Sequence, residues 1–223
     1  MKLLSVQLAI FSAEIISRPD LLFSEVNSQM NGIIDSIPTI LDLPSEIPAE
    51  IPIVQSRSAD GHVSINVAKG RIDLIINFVY ENELSPIQLL ESCKGTLQSF
   101  YKSVLNGIVA NRAGFVLTLF DPRKDNVKSV FDKYFVEKYT SKCVESSMRI
   151  NKQNMKKSVV YNNIYSVESA TINVGTESVS GVLFQYDINN VSEHEKKINE
   201  EVIAYIISQG MLHLSPDSIK EMI

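Results

Sequence analysis

The sequence predicts an α+β fold in which a largely antiparallel sheet is built on a meander at 52–79, with long helices packed on one face. Three observations lead to this prediction. Apolar and polar residues alternate around two tight-turn signals within 52–79. Several other segments repeat apolar residues at helical spacing. No regular strand–helix–strand alternation, the mark of a parallel sheet, is present.

The N-terminal residues read as a strand followed by a helix. Val6, Leu8 and Ile10 alternate with polar or small residues, which favours a strand over the short signal peptide that this apolar run imitates. A helical apolar stripe begins at Pro19 and reaches the proline-rich residues 38–52. Those prolines predict an extended strap, laid on the chain's own surface or, in the alternative reading, docked on a second subunit.

Two turn signals set the register of the meander. Asp60-Gly61 predicts a type I′ turn, and Lys69-Gly70 predicts a second two-residue turn. With these turns, six apolar residues of the last two strands share one face. They are Val63, Ile65, Val67, Ile72, Leu74 and Ile76. The opposite face is polar.

The later elements follow from caps and from a change of periodicity. A capping box with proline at the first helical position predicts a helix over 85–107. Residues 108–120 are apolar on both faces, which predicts a central strand. A shorter helix is expected over 125–139, and strands are expected within 144–188. A second capping box at 192–195 predicts the start of the last helix.

Composition and charge are those of a globular protein with one basic segment. Of the 223 residues, 44% are hydrophobic and the net charge is −5. Residues 123–157 contain ten Lys or Arg and four Asp or Glu, a net charge of +6, so the remainder carries −11. We expect 1–223 to form a single domain, and a division into two lobes near residue 140 stays open because the second β region begins there.

The polar face of the meander carries the first group of candidate site residues. The candidates are Arg57, His62, Asn66 and Asp73. A base, a cation and an amide on one face can bind and activate a small polar ligand. An ordinary solvent-facing sheet surface explains the same residues, and we favour that interpretation.

The basic 149–157 region carries the second group. The candidates are Arg149, Lys152, Lys156 and Lys157. Together with the tyrosines that follow, these cations could bind a single nucleic-acid strand. A lysine-rich hairpin that keeps a sheet edge soluble explains them equally, and we favour it because the aromatics do not interleave with the charges.

Signatures of common enzyme and metal sites are absent from the sequence. There is no phosphate-binding loop, dinucleotide fingerprint, HExxH motif or GxSxG elbow, and no pair of the three histidines has metal-ligand spacing. We therefore expect no cofactor. Cys93 and Cys143 stand far apart, which favours a reducing cytoplasm over a disulfide framework. No apolar run approaches the roughly 18 residues of a membrane span, so no membrane association is expected.

Three segments in the first half carry a resemblance to a known family. They are the first strand VQLAI, the segment PIVQSRSADGHVSINVAKGRIDLIINF, and the strand NRAGFVLTLF, which is entered through Arg112. In these the chain resembles a sporadically distributed family of uncharacterised bacterial α+β proteins. The resemblance implies no catalytic residue. It implies a bacterial source and a mobile or defence-type gene cluster.

These observations lead to one main functional hypothesis and two alternatives. The sequence contains no signature of catalysis, but it has an apolar strap and a separate basic segment. We therefore expect a non-enzymatic interaction or assembly protein, acting in a homodimer or a larger complex. The first alternative is a nucleic-acid-binding accessory protein that uses the basic 149–157 region. The second is a small-molecule enzyme on the polar face of the meander.

Overall fold

The computed structural model describes residues 1–42, 44, 46–80, 82–122, 132, 146–192 and 197–214. In these ranges nine strands form one sheet. The strands are β1 (Lys2–Ser12), β2 (Thr39–Ile40), β3 (Pro52–Arg57), β4 (Val63–Ala68), β5 (Arg71–Asn77), β6 (Ala110–Asp121), β7 (Ser147–Lys156), β8 (Val159–Val174) and β9 (Glu177–Asn190). The helices of the same ranges are α1 (Pro19–Gln29), α2 (Pro86–Gly107) and α3 (Glu200–His213). Apart from residue 132, the helix predicted over 125–139 lies outside the described residues.

The sheet is antiparallel throughout and is centred on β1. Its strand order is β2-β3-β4-β5-β1-β6-β9-β8-β7, so β1 is the fifth of nine strands. The fold is therefore a sheet-rich α+β fold. The expectation that the sheet is built on the meander at 52–79 is wrong in its emphasis, because β3, β4 and β5 form one flank. The centre is β1, which pairs with β5 on one side and β6 on the other.

The cross-strand pairs predicted for the flank are present. Ile65 lies opposite Leu74, and Val67 opposite Ile72, so the apolar pattern had indicated the register correctly. The predicted type I′ geometry at Asp60-Gly61 is wrong, because only Gly61 of the two has positive φ (75°). Asp60 instead closes this turn with its carboxylate, which accepts from the His62 backbone N–H at 2.9 Å.

The two faces of the sheet differ in what covers them. The inner face contains Val6, Leu8 and Ile10 of β1, which are fully buried. Buried side chains of α1, α2 and α3 join this face in one apolar cluster. The outer face contains Gln7 and Ala9 and is mostly polar, with apolar side chains such as Ile75, Val116 and Phe120 among the polar ones. We keep the names inner face and outer face below.

Two of the three helices differ in extent from the prediction. Helix α2 has 22 residues and the predicted capping box at Ser85. Helix α1 has only 11 residues, because the chain turns at Asn31 and Gly32, which have φ of 60° and 67°. Helix α3 begins at Glu200 with Asn199 as its N-cap, so the predicted start at 192 is wrong.

The described part of the strap lies against its own chain. Thr39 and Ile40 pair with β3 as the short edge strand β2. The Gly70 N–H donates to the Ala49 carbonyl oxygen at 2.7 Å, and a Cβ on Gly70 would lie 3.1 Å from the Ala49 Cβ. A side chain at position 70 would therefore require Ala49 to shift by a few tenths of an ångström, which favours glycine in the turn between β4 and β5.

Candidate functional site

A row of facing residues crosses the outer face, with one residue from each strand. In spatial order the row is Thr39, Gln55, Asn66, Asp73, Ala9, Gly114, Asn189, Asn162 and Gln153. Seven of the nine side chains are polar, and the two small residues lie at the middle strands. We call this set the polar row. Two of the candidate residues from the sequence, Asn66 and Asp73, belong to it.

Asp73 is the charged residue of the polar row, and it is buried. Its carboxylate accepts from Gln7 Nε2 at 2.9 Å and from Arg71 Nε at 2.7 Å. Asp73 is 2% exposed, whereas the Arg71 side chain is 28% exposed. The charge of Asp73 is therefore already balanced by the protein, and its main role is to hold β1 and β5 together on this face.

The remaining candidates on the flank do not gather around Asp73. His62 contacts the backbone oxygen of Asn77 through Nδ1 at 3.2 Å, four residues along β5 from Asp73. Arg57 lies two strands away from β5 and is exposed. With a strand spacing of about 4.8 Å and a rise of about 3.4 Å per residue, the Cα atoms of both residues lie more than about 10 Å from the Cα atom of Asp73. That is too far for the three side chains to act on one proton.

A shallow cavity of about 500 Å³ lies at the β2 end of the outer face. Two candidates, Arg57 and Asn66, line it together with Thr39 and Gln55. Ser36 lies at its edge and donates a hydrogen bond to the Arg57 carbonyl oxygen. The lining holds one cation and several amide or hydroxyl groups but no carboxylate, so it contains no general base.

An amide network continues the polar row on the other side of β1. Asn189 donates to Asp187 Oδ1 at 2.9 Å and accepts from Asn162 Nδ2 at 3.0 Å. The Asn162 oxygen accepts from Gln153 at 2.9 Å and from Asn151 at 3.2 Å. Sequence reasoning missed these residues because β9, β8 and β7 are not neighbours of the meander in the chain. Their alternation along each strand was the available signal.

Two arginines lie on the ring of Phe11 at one end of the outer face. The guanidinium carbons of Arg71 and Arg112 lie 5.5 and 4.8 Å from the ring centroid. Arg71 is paired with Asp73, but the buried Nε of Arg112 has no acceptor among the described residues. The guanidinium group of Arg112 thus forms a cation–π contact with the Phe11 ring.

The outermost strand on the other side, β7, is the longest exposed strand edge. Nine of its ten residues are exposed, and it pairs with β8 without a register shift. In the described part of the chain no strand pairs with its other edge. The Ser169 N–H donates to the Ser146 carbonyl oxygen at 3.0 Å, which sets the alternation of the antiparallel ladder. The even-numbered residues of β7 therefore bond to β8.

The odd-numbered residues of β7 direct their N–H and C=O groups away from β8. These residues are Ser147, Arg149, Asn151, Gln153 and Met155. Five N–H and five C=O groups thus form a free edge of the sheet. We call this set the β7 edge.

The structure divides the basic 149–157 candidates between the two faces. Arg149 is on the outer face opposite Ser166, and Lys152 is on the inner side opposite Asn163. Lys156 lies 4.0 Å above the ring of Tyr205 in α3, and Lys157 pairs with Glu201 at 3.1 Å. The last two lysines are therefore partly engaged by α3.

The tyrosines that follow the basic stretch lie on the inner face. Tyr161 is 3% exposed and packs edge-on against Tyr205 at 4.7 Å, and burial raises the pKa of its hydroxyl. Tyr165 lies 5.0 Å from the ring of Tyr186. Neither ring is on the face that carries Arg149, so a nucleic-acid base next to that cation could not stack on either tyrosine.

A two-residue turn joins β7 to β8 and contains no glycine. Lys157 and Ser158 both have positive φ, 48° and 65°, as a type I′ turn requires. Such values are uncommon for residues with a Cβ. The Lys157–Glu201 pair and the contact of Lys156 with Tyr205 hold this hairpin against α3.

The other titratable groups of the described residues have structural surroundings. Burial raises the pKa of the Cys93 thiol to about 11, so this cysteine is unreactive at neutral pH. His213 stacks on Tyr186 at 4.4 Å, and burial lowers its pKa. Within the described ranges no three His, Cys, Asp or Glu side chains come together as a metal site.

Neither the protein-family models nor the curated proteins contain a match to this chain. The described helices include none with the length and apolar character needed to cross a membrane.

Proposed function

We propose that the protein is a non-enzymatic interaction protein that binds an extended segment of a partner protein along the β7 edge and so works within a larger complex. The observation that carries the proposal is the length and exposure of β7, ten residues of which nine are exposed. An added strand would pair with the free N–H and C=O groups, as in other cases of strand addition.

β7 lacks most of the features that protect a sheet edge. Sheet edges are commonly blunted by prolines, bulges, short strands or charged side chains, especially lysine. Of these β7 has only its cations, whereas the opposite edge strand, β2, is protected by its length of two residues. Ile150 and Met155 are 38% and 72% exposed and lie on opposite sides of β7. They provide one apolar contact for each face of an added strand.

The geometry of the flank supports a function without catalysis. Arg57, His62 and Asp73 are too far apart to act together, and Asp73 is already neutralised by Arg71. Tyr161 is buried against Tyr205, and Tyr165 packs against Tyr186, which likewise favours a protein partner over a nucleic acid stacked on these rings. A peptide strand needs only the backbone edge and the two apolar contacts.

A selection from a peptide library of unbiased charge tests the proposal. The decisive variant is Asn151→Pro, because it removes an outward N–H and leaves the backbone bonds to β8 in place. Asn151→Ala is the matched control, since it removes the same side chain and keeps the N–H. We expect the selected peptides to bind the wild type and Asn151→Ala, and to lose binding to Asn151→Pro.

Amide hydrogen exchange supplies the second readout. Peptide binding should protect the N–H groups of Arg149, Asn151 and Gln153, which point outward, and leave the exchange of the β8-bonded amides unchanged. Selected peptides that bind Asn151→Pro as tightly as the wild type, or that protect none of these amides, would contradict strand addition at β7.

A further inference from the structure

We infer that the segment bound at the β7 edge is acidic and belongs to a different protein, not to a second copy of this chain. The inference rests on the proposed strand addition and deepens it by naming the chemistry of the partner. It follows from the charges of β7 and from their spacing.

β7 is cationic and contains no acidic residue. Its charged residues are Arg149, Lys152 and Lys156. In the described part of the chain, neither Arg149 nor Lys152 has a carboxylate within ion-pair distance, and both are exposed. Lys156 lies over Tyr205 and is itself an exposed residue. An acidic strand would therefore meet cations that no carboxylate yet neutralises.

A second copy of β7 is a poor occupant for the same reason. Pairing of two β7 edges would bring six cations together on two adjacent strands, neither of which carries a carboxylate. Neighbouring strands lie about 4.8 Å apart, which is less than the screening length of about 8 Å at physiological salt. Like charges in facing or diagonal positions destabilise such pairing.

The spacing of the three cations defines the sequence of a suitable partner. In an antiparallel added strand, the residues opposite Lys156, Lys152 and Arg149 occupy positions 1, 5 and 8 of an eight-residue segment. The residues opposite Met155 and Ile150 occupy positions 2 and 7. The expected segment is acidic at positions 1, 5 and 8 and apolar at positions 2 and 7. We expect the antiparallel orientation because it is the more stable one and the whole sheet is antiparallel.

Three peptides of equal length test this inference. EVTTETVE has the expected order, EVTETTVE has the same composition in the order that a parallel strand would need, and QVTTQTVQ is the neutral control. Binding is followed from the amide chemical shifts of the ¹⁵N-labelled protein during titration to millimolar peptide. We expect EVTTETVE to bind most tightly and to weaken as salt is raised.

Charge variants of the protein complete the experiment. Arg149→Gln and Lys152→Gln should each weaken the binding of EVTTETVE by up to about 5-fold, which is the range of exposed ion pairs. Lys94→Gln, the same change on the exposed surface of α2, should leave binding unchanged. In the variant that combines Arg149→Gln, Lys152→Gln and Lys156→Gln, EVTTETVE should bind no more tightly than QVTTQTVQ.

Failure of the inference is distinguishable from failure of the proposed function. Equal binding of the acidic and neutral peptides would overturn the acidic preference and leave strand addition standing. Tighter binding of EVTETTVE would overturn the antiparallel pattern. A dimer in sedimentation equilibrium that Asn151→Pro abolishes would make the second copy the occupant. No binding of any peptide would contradict strand addition itself.

Discussion

Gly181 of β9 lies directly against the backbone of Asp121 at the end of β6. A Cβ on Gly181 would be 2.1 Å from the Asp121 carbonyl oxygen and 2.7 Å from the Phe120 ring. No side chain fits there unless the two strands separate. This contact explains why β9 carries glycine at a position where no turn and no positive φ requires it.

Gly181→Ala should therefore destabilise the protein by at least about 1–3 kcal/mol, the usual cost of overpacking. Gly95→Ala is the matched control, because Gly95 lies in α2 with no atom within 4 Å of the added Cβ. It should stabilise the protein by about 0.5–1 kcal/mol, because alanine favours a helix interior. Urea unfolding measures both changes. Equal stability of the two variants would contradict the close approach at Gly181.

Asp73→Ala should lower the free energy of unfolding by about 1–3 kcal/mol, because it leaves the Arg71 and Gln7 donors without their shared acceptor. Asp20→Ala is the control. Asp20 forms a similar pair with Arg18, two residues earlier in the chain, but on the exposed surface. Its removal should have the smaller effect. A larger loss in Asp20→Ala than in Asp73→Ala would rule out a structural role for the buried pair.

The stability of the protein should fall as the pH is lowered through the range in which histidine titrates. Burial lowers the pKa of His213 below its ordinary value of 6.5, so the unfolded chain binds a proton more readily than the folded one. Stability from this group is complete above about pH 7.5 and is lost as the pH falls through 6.5 towards the folded-state pKa.

His213→Phe keeps a ring against Tyr186 but cannot titrate. Urea unfolding at a series of pH values above about 5.5, where few carboxylates titrate, should show a smaller pH dependence for this variant than for the wild type. An unchanged slope would show that His213 is not responsible for it. NMR titration of the His213 ring gives its pKa directly.

Asn199→Ala should cost about 1 kcal/mol, because the Asn199 side chain accepts from the Val202 N–H at 3.3 Å and caps α3. Ser192→Ala, at the N-cap predicted from the sequence, should change stability by less than about 0.5 kcal/mol. A larger loss in Ser192→Ala than in Asn199→Ala would show that Ser192 is the cap, as the sequence predicted. Thermal unfolding of the two variants, compared with the wild type, separates the possibilities.

Predictions from the sequence succeeded best where an element is determined by interactions between residues close together in the chain. The pairs Ile65–Leu74 and Val67–Ile72 were predictable because a two-residue turn and a period of two leave one register that buries all the apolar residues. The capping box of Ser85 was predictable because a cap is local. In α3 the same kind of local signal failed, because the capping-box pattern at Ser192 predicted the start of a helix that is capped by Asn199, seven residues later.

The candidate site was predictable only where it lay within one flank. Asn66 and Asp73 were placed on a common face from alternation alone, and they are in the polar row. The partners Asn162 and Asn189 could not be added, because no local signal brings β9 next to β6 and β8 next to β9. The β7–β8 turn was also hidden, since Lys157 and Ser158 adopt positive φ without a glycine to announce it.

The central position of β1 has a consequence for the order of folding. The strands on its two sides form blocks that are each contiguous in the chain, residues 39–77 and residues 110–190. The strands of 39–77 and the strands β7, β8 and β9 can each form from local hairpins, whereas β6 must find β9 about 70 residues away and β1 must find partners about 65 and 110 residues away. Closing such long loops is slow. The pairing of β1 with β6 joins the most distant strands, and it is thus the natural late step that converts two separate half-sheets into one.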